Sequence, residues 1–197
     1  FSLAAWTATG TAAVDWRTAR PEVDPARIGL SGNSFGSFFG TLAAAHEPRI
    51  RAVSVSAVCH EPGFHTIFEE ASPTFKVRFM YMAGITDEAT FDALRRTMTW
   101  DGHAERIRAP YLCVAGEHDE LSPLVHTERL MKALGGPKRL VVYQDSRHSV
   151  GNVPAANLGP FPPILMADWM EATLGGTSFP SERWYVEASG RIVRTAI

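Results

Sequence analysis

The sequence is short of most features that would mark a specialised class of protein. Its 197 residues include only two cysteines, Cys59 and Cys113, far apart and with no C-x-x-C or Cys/His cluster beside either. That excludes a disulfide framework and leaves a zinc site without ligands, so both thiols read as buried and no metal is expected. Charge of one sign is also missing. Nineteen Lys and Arg are interspersed with 21 Asp and Glu for a net charge of -2, which gives no surface for nucleic acid or an anionic membrane. No apolar run reaches membrane-spanning length, and the first basic residue, Arg17, comes too late for the charged start of a secretory signal. A cytoplasmic location is expected. There is no internal repeat, no low-complexity tract and no initiating Met. Phe1 opens in what reads as a helix, which predicts further residues upstream.

What is present is a normal globular composition, 45% hydrophobic and 20% charged, enough for a sizeable core. The 16 Gly and 13 Pro fall between short apolar runs, and the pattern alternates strand with helix. Leu3 to Arg20 places Leu3, Trp6, Val14 and Trp16 at roughly helical spacing before Pro21, predicting an amphipathic helix. Arg27 to Ser31 predicts a buried strand and Phe35 to His46 a helix. Arg51 to Ser56, Tyr111 to Ala115 and Arg139 to Tyr143 predict three more strands, with helices at Ser122 to Leu134 and Phe161 to Leu174. Such alternation specifies an α/β fold, a mostly parallel sheet flanked by helices on both faces. The long connection between the second and third strands is rich in Phe and Met and needs structure of its own. It predicts a small helical cap insertion at residues 61–108, with the core formed by residues 1–60 and 109–197. The tail, Arg183 to Arg194, alternates around Ser189-Gly190 and predicts a packed terminal strand pair.

The chemistry concentrates at Gly32-Asn33-Ser34-Phe35-Gly36. A G-x-S-x-G match arises by chance in roughly one chain in twenty of this length. Here a strand stands directly before it and a helix directly after, the context in which a sharp turn lifts the serine clear of the sheet. The turn requires small residues on both sides, at Gly32 and Gly36. A serine hydroxyl is a poor nucleophile at neutral pH and needs a base, an acid behind the base, and donors for a developing oxyanion. In this architecture the acid and then the histidine follow at the ends of later strands. Asp119 is the expected acid, in Gly116-Glu117-His118-Asp119-Glu120, with Glu117 and Glu120 as rivals; Ser122-Pro123 reads as the cap of the next helix. His148 is the expected base, in the loop Gln144 to Gly151 after the fourth strand. Phe35 N–H is the oxyanion donor that the motif supplies. Asn33, His60, Phe79 and Met82 are expected to line the substrate site.

With these residues in view, the chain from about Val14 to Gly175 resembles the C-terminal catalytic part of an α/β-hydrolase. Asp15-Trp16-Arg17 through Val23-Asp24-Pro25-Ala26-Arg27-Ile28-Gly29-Leu30 and the elbow are similar to prolyl-oligopeptidase-like and dienelactone-hydrolase-like enzymes. Phe75 to Met82, His118-Asp119-Glu120, and His148 with Met166-Ala167-Asp168-Trp169 are similar to bacterial esterases related to 2,6-dihydroxypseudooxynicotine hydrolase and to fungal polyketide-shortening hydrolases. The resemblance implies an eight-stranded sheet with only its last four strands legible here, and a second oxyanion donor upstream. It implies a serine hydrolase acting on an ester, or on a carbon-carbon bond of a β-diketone-like substrate, without a cofactor. A catalytically silent binding module on the same fold is the rival from another class. The expected partners are a small-molecule substrate, the upstream half of the fold on the same or a separate chain, and a second copy in a homodimer.

Overall fold

Side chains two residues apart along a strand leave the same face of a sheet, and the third strand shows how this sequence uses both faces. In a computed structural model describing residues 2–150 and 157–197, Tyr111, Cys113 and Ala115 enter one buried core while Leu112 and Val114 enter another. A strand buried on both sides must be apolar throughout, and it is. The same division continues in the next strand, with Leu140 and Val142 on one face and Val141 and Tyr143 on the other.

The sheet contains β1 (Ile28–Ser34), β2 (Ile50–Val58), β3 (Tyr111–Gly116), β4 (Lys138–Tyr143), β5 (Glu182–Val186) and β6 (Ile192–Ala196), in that spatial order. The first four pairings are parallel and the last, β5 with β6, is antiparallel. The helices are α1 (Leu3–Thr18), α2 (Phe35–His46), α3 (Pro73–Ala83), α4 (Glu88–Thr97), α5 (Leu124–Ala133) and α6 (Pro162–Leu174). Parallel neighbours need crossover connections. Here α2 and α5 supply them on one face, whereas α6, leading from β4 to β5, packs its buried Trp169 on the other.

The α/β fold expected from the alternation is therefore present, with three differences in detail. The expected terminal strand pair forms, β5 with β6, but β5 also pairs in parallel with β4 and extends the sheet to six strands, a long-range pairing that local alternation cannot specify. Helix α1 is not clearly amphipathic, since Val14 is its one buried residue and both tryptophans are exposed. Trp6 stacks on Phe39 of α2 with ring centroids 4.3 Å apart, and Trp16 lies under Arg17 and Arg20. Ser122 does not cap α5, which begins at Leu124 after Pro123; its hydroxyl is used elsewhere.

Between β2 and β3 the chain forms a 3-10 turn (Pro62–Phe64), a π-helical turn (Thr66–Glu70), α3, α4 and a second 3-10 turn (Ala104–Arg106). Phe64, Phe68, Phe79, Phe91 and Trp100 from this stretch join the same core as Phe38 of α2. Phe68 meets Phe79 and Phe91 at 5.3 and 5.0 Å, and Phe38 meets Phe64 edge-on at 4.9 Å. Edge-to-face pairs of this kind add to the burial of their area. They fix the stretch over the N-terminal end of α2, where the serine stands.

Candidate active site

Ser34 closes β1 and immediately precedes α2, with φ 53° and ψ -126°. A non-glycine residue rarely adopts such a conformation without surrounding constraint. Gly32 supplies part of that constraint. A Cβ there would fall 2.3 Å from the carbonyl oxygen of Gly36, so the turn closes only over a bare backbone. The matching expectation for Gly36 is overturned: a Cβ at that position meets nothing within 4 Å. One side of the elbow is crowded and the other is open. Ser37 completes the brace, donating its hydroxyl to the Ser34 carbonyl at 2.7 Å and accepting the Cys59 N–H at 2.8 Å.

A second glycine brings the other two loops together. Gly116 ends β3, and a Cβ on it would sit 2.3 Å from the Arg147 carbonyl oxygen and 2.4 Å from that of Ser146. The loop after β4 thus crosses directly over the end of β3, held by the His118 N–H donating to Ser146 O at 2.9 Å. Asp145 turns that loop with a positive φ of 55°. The Gly151 end of the loop lies outside the described residues, as does Phe1.

The crossing places His148 between Asp119 and Ser34. Its Nε2 is 3.1 Å from Ser34 Oγ, and its Nδ1 is 3.1 and 3.0 Å from the two Asp119 carboxylate oxygens. Asp119 and His148 are only 6% and 7% exposed, so these bonds lie in a dry setting. With Asp119 accepting at Nδ1–H, the opposite nitrogen is the one free to accept from the serine.

The three acidic residues of the loop after β3 have separate tasks. Asp119 faces the imidazole, and its Oδ1 also accepts the N–H groups of Leu121 and Ser122 at 2.9 and 3.0 Å. Glu120 holds the backbone of the same histidine, accepting His148 N–H at 3.0 Å. Burial opposes its ionisation, but that N–H and the nearby Arg147 outweigh burial and keep its pKa below the usual value. Glu117 accepts from Tyr185 OH and from Asp145 N–H at 3.0 Å, tying β5 to the rim of the site.

Phe35 is the first residue of α2, where helical N–H groups have no intrahelical acceptor. Its ring packs near Phe79 and Phe64 at 5.1 and 5.2 Å. The other expected lining residues separate. Asn33 is exposed and donates to Ser56 Oγ at 3.1 Å, and Met82 is 70% exposed on α3. Phe79 is buried among the aromatic rings. His60 is wholly buried, with Nδ1 3.2 Å from Thr127 Oγ1, and burial drives its pKa down to about 3.

Two further residues stand at the site in places the sequence does not assign to it. Cys59 Sγ lies 3.6 Å from Ser34 Oγ, and burial, with the Asp119 charge behind it, pushes this thiol up to about 12. Ser122, read from the sequence as a cap, instead accepts the His60 N–H at 2.9 Å. The fold brings Cys59 to Ser34 and His60 to Ser122.

A mostly parallel sheet carrying a strained serine at a strand-to-helix turn, with an aspartate and a histidine on loops after the later strands β3 and β4, is the arrangement of the α/β-hydrolases. The chain is a serine-hydrolase-type member of that class. More narrowly, it belongs to the prolyl oligopeptidase family, whose model matches residues 10–160.

Among solved structures, it is similar to the 2,6-dihydroxy-pseudo-oxynicotine hydrolase, with a TM-score of 0.77 and 24% identity over 89% of this chain and 48% of that one. It also resembles acetyl xylan esterase 1 of Thermoanaerobacterium sp. JW/SL YS485, with a TM-score of 0.62 and 19% identity over 84% of this chain and 51% of that one. Among curated sequences, an uncharacterized peptidase of Bacillus subtilis (strain 168), YuxL, is 24% identical over 138 residues, which is 66% of this chain and 20% of the relative. An uncharacterized protein of Mycobacterium tuberculosis (strain H37Rv) is 27% identical over 145 residues, 72% of this chain and 45% of the relative. The chain thus spans a fifth to under half the length of these curated relatives.

Proposed function

We propose that the protein hydrolyses an ester of a small or medium apolar substrate through an acyl-enzyme on Ser34. The observation that carries this reading is the unbroken chain from Ser34 Oγ through His148 to Asp119, with 3.1 Å at its first link. His148 Nε2 takes the hydroxyl proton as Ser34 Oγ bonds to the substrate carbonyl carbon. The carbonyl oxygen becomes an oxyanion facing Phe35 N–H. Collapse of this intermediate breaks the bond to the leaving alcohol, which takes the proton from His148. Water repeats the sequence, and the acid departs with Ser34 restored.

Asp119 holds the imidazole in the tautomer that can accept from serine, and its charge favours the imidazolium formed in each half-reaction. Base catalysis by a positioned histidine is worth about 10²- to 10⁴-fold, and one oxyanion donor about 10²- to 10³-fold. The aromatic residues around Phe35 support an apolar acyl or alcohol group, with residues 61–108 acting as a cap over it.

A second reading, hydrolysis of a peptide or other amide, is favoured by the family match and by the name of the Bacillus relative. The chemistry is the same with an amine as leaving group. Turnover of p-nitrophenyl esters and peptide p-nitroanilides by the full protein separates the two. Faster kcat/KM on esters supports the first reading, faster turnover of peptides the second. No turnover of either class of substrate, with Ser34 unreactive toward a fluorophosphonate, points to a silent binding module.

A further inference from the structure

A buried line of hydrogen bonds runs from the helical segment between β2 and β3 to the carboxylate of Asp119. The Trp100 indole Nε1–H donates to the His60 carbonyl at 2.7 Å. His60 N–H donates to Ser122 Oγ at 2.9 Å, and Ser122 N–H donates to Asp119 Oδ1 at 3.0 Å. Trp100, His60 and Ser122 are at most 1% exposed, so water does not replace a bond lost among them.

We propose that Ser122 is a positioning residue for the reaction above, the last link of a strut, Trp100–His60–Ser122, through which the 61–108 segment sets the Asp119 carboxylate against His148. The inference rests on the proposed acyl-transfer role of Asp119. Oδ1 of Asp119 accepts the N–H groups of both Leu121 and Ser122 while facing the histidine, so wherever that turn moves the carboxylate moves with it. The Ser122 hydroxyl ties the turn to the end of β2, a contact separate from the one Glu120 makes with the His148 N–H. The segment carrying Trp100 is thereby linked through the His60 backbone to this hydroxyl, and so to the acid.

The test measures kcat and KM for p-nitrophenyl butyrate in the full chain, well below its unfolding temperature. The proteins are wild type, Ser122→Ala, Ser122→Thr, Asp119→Ala and the Ser122→Ala/Asp119→Ala double variant. Ser122→Ala is expected to lower kcat about 10- to 100-fold, the scale set by a misplacement of about 1 Å, while KM stays within about twofold. Ser122→Thr, which keeps the oxygen, restores most of kcat. In the Asp119→Ala background Ser122→Ala costs nothing further, because residues that act through one another are not additive.

A folded Ser122→Ala protein with wild-type kcat overturns the proposal, as does an equal loss in both backgrounds. Should Ser122→Ala fail to fold, Trp100→Phe, which removes the indole donor, carries the same expected loss of kcat, and an unchanged kcat there overturns the proposal. If Asp119→Ala itself leaves kcat intact, the acyl-transfer reading has failed and takes the strut with it.

Discussion

Ser34 and His148 are 114 positions apart in the chain and 3.1 Å apart in space. Two bare backbones make that approach possible. Gly32 lets the serine turn close, and Gly116 lets the histidine loop cross the end of β3. Neither glycine contributes a side chain to the chemistry; each removes one that would block it.

The strain at Ser34 has a measurable cost. At φ 53° a glycine fits without the penalty that a Cβ brings. Ser34→Gly is therefore expected to raise stability by about 1 kcal/mol in urea unfolding while abolishing turnover. Ser34→Ala, which keeps the strained backbone, abolishes turnover without the gain. Equal stabilities for the two variants would remove the claim of strain.

The two glycines of the elbow should respond differently to the same change. Gly32→Ala forces a Cβ to within 2.3 Å of backbone and is expected to unfold the turn or cost several-fold in soluble yield and activity. Gly36→Ala meets open space on the first turn of α2, so its stability should remain within about 1 kcal/mol of wild type or rise. Thermal unfolding of the pair decides, and equal damage from both substitutions contradicts the asymmetry.

The three carboxylates rank by what each touches. Asp119→Asn keeps the shape but removes the charge and favours the wrong imidazole tautomer, a change expected to lower kcat by about 10⁴-fold. Glu117→Gln and Glu120→Gln keep oxygens that can accept the Asp145 and His148 N–H groups, so losses below about tenfold are expected. A larger loss from Glu120→Gln than from Asp119→Asn would reassign the acid.

His60 predicts how stability changes on the acid side. Burial holds its pKa at about 3, against about 6.5 for an ordinary histidine. Between those values the unfolded chain binds a proton that the folded chain refuses. Falling pH through this range therefore favours unfolding. His60→Gln should make the urea midpoint fall less steeply between pH 6.5 and 5, and unchanged slopes would contradict it.

Much of this was legible in the sequence, and what escaped did so for identifiable reasons. The Phe35–His46 helix falls where its apolar spacing puts it, and the first four strands are correctly located because buried parallel strands are short apolar runs bounded by Gly, Pro and charge. Ser34, Asp119 and His148 were identified by order and strand-end position, and the fold brings these three side chains together. The docking of β5 on β4 was hidden, because a hairpin's alternation says nothing about which edge it joins. Local rules assign a small residue to Gly36 and a cap to Ser122, whereas the space beside Gly36 is open and the Ser122 hydroxyl is taken by the His60 N–H. The sequence places Cys59 in the core but not beside Ser34, and places His60 in the substrate site rather than buried against Thr127, because both positions follow from where β2 ends in three dimensions.

The most direct measurement is reaction of the full protein with a fluorophosphonate, followed by mass mapping of the modified peptide. Reaction is expected at Ser34 alone, lost in Ser34→Ala and strongly slowed in His148→Ala. A protein that stays unlabelled under conditions that label a known serine esterase, or that carries the label on another residue, would contradict Ser34 as the nucleophile.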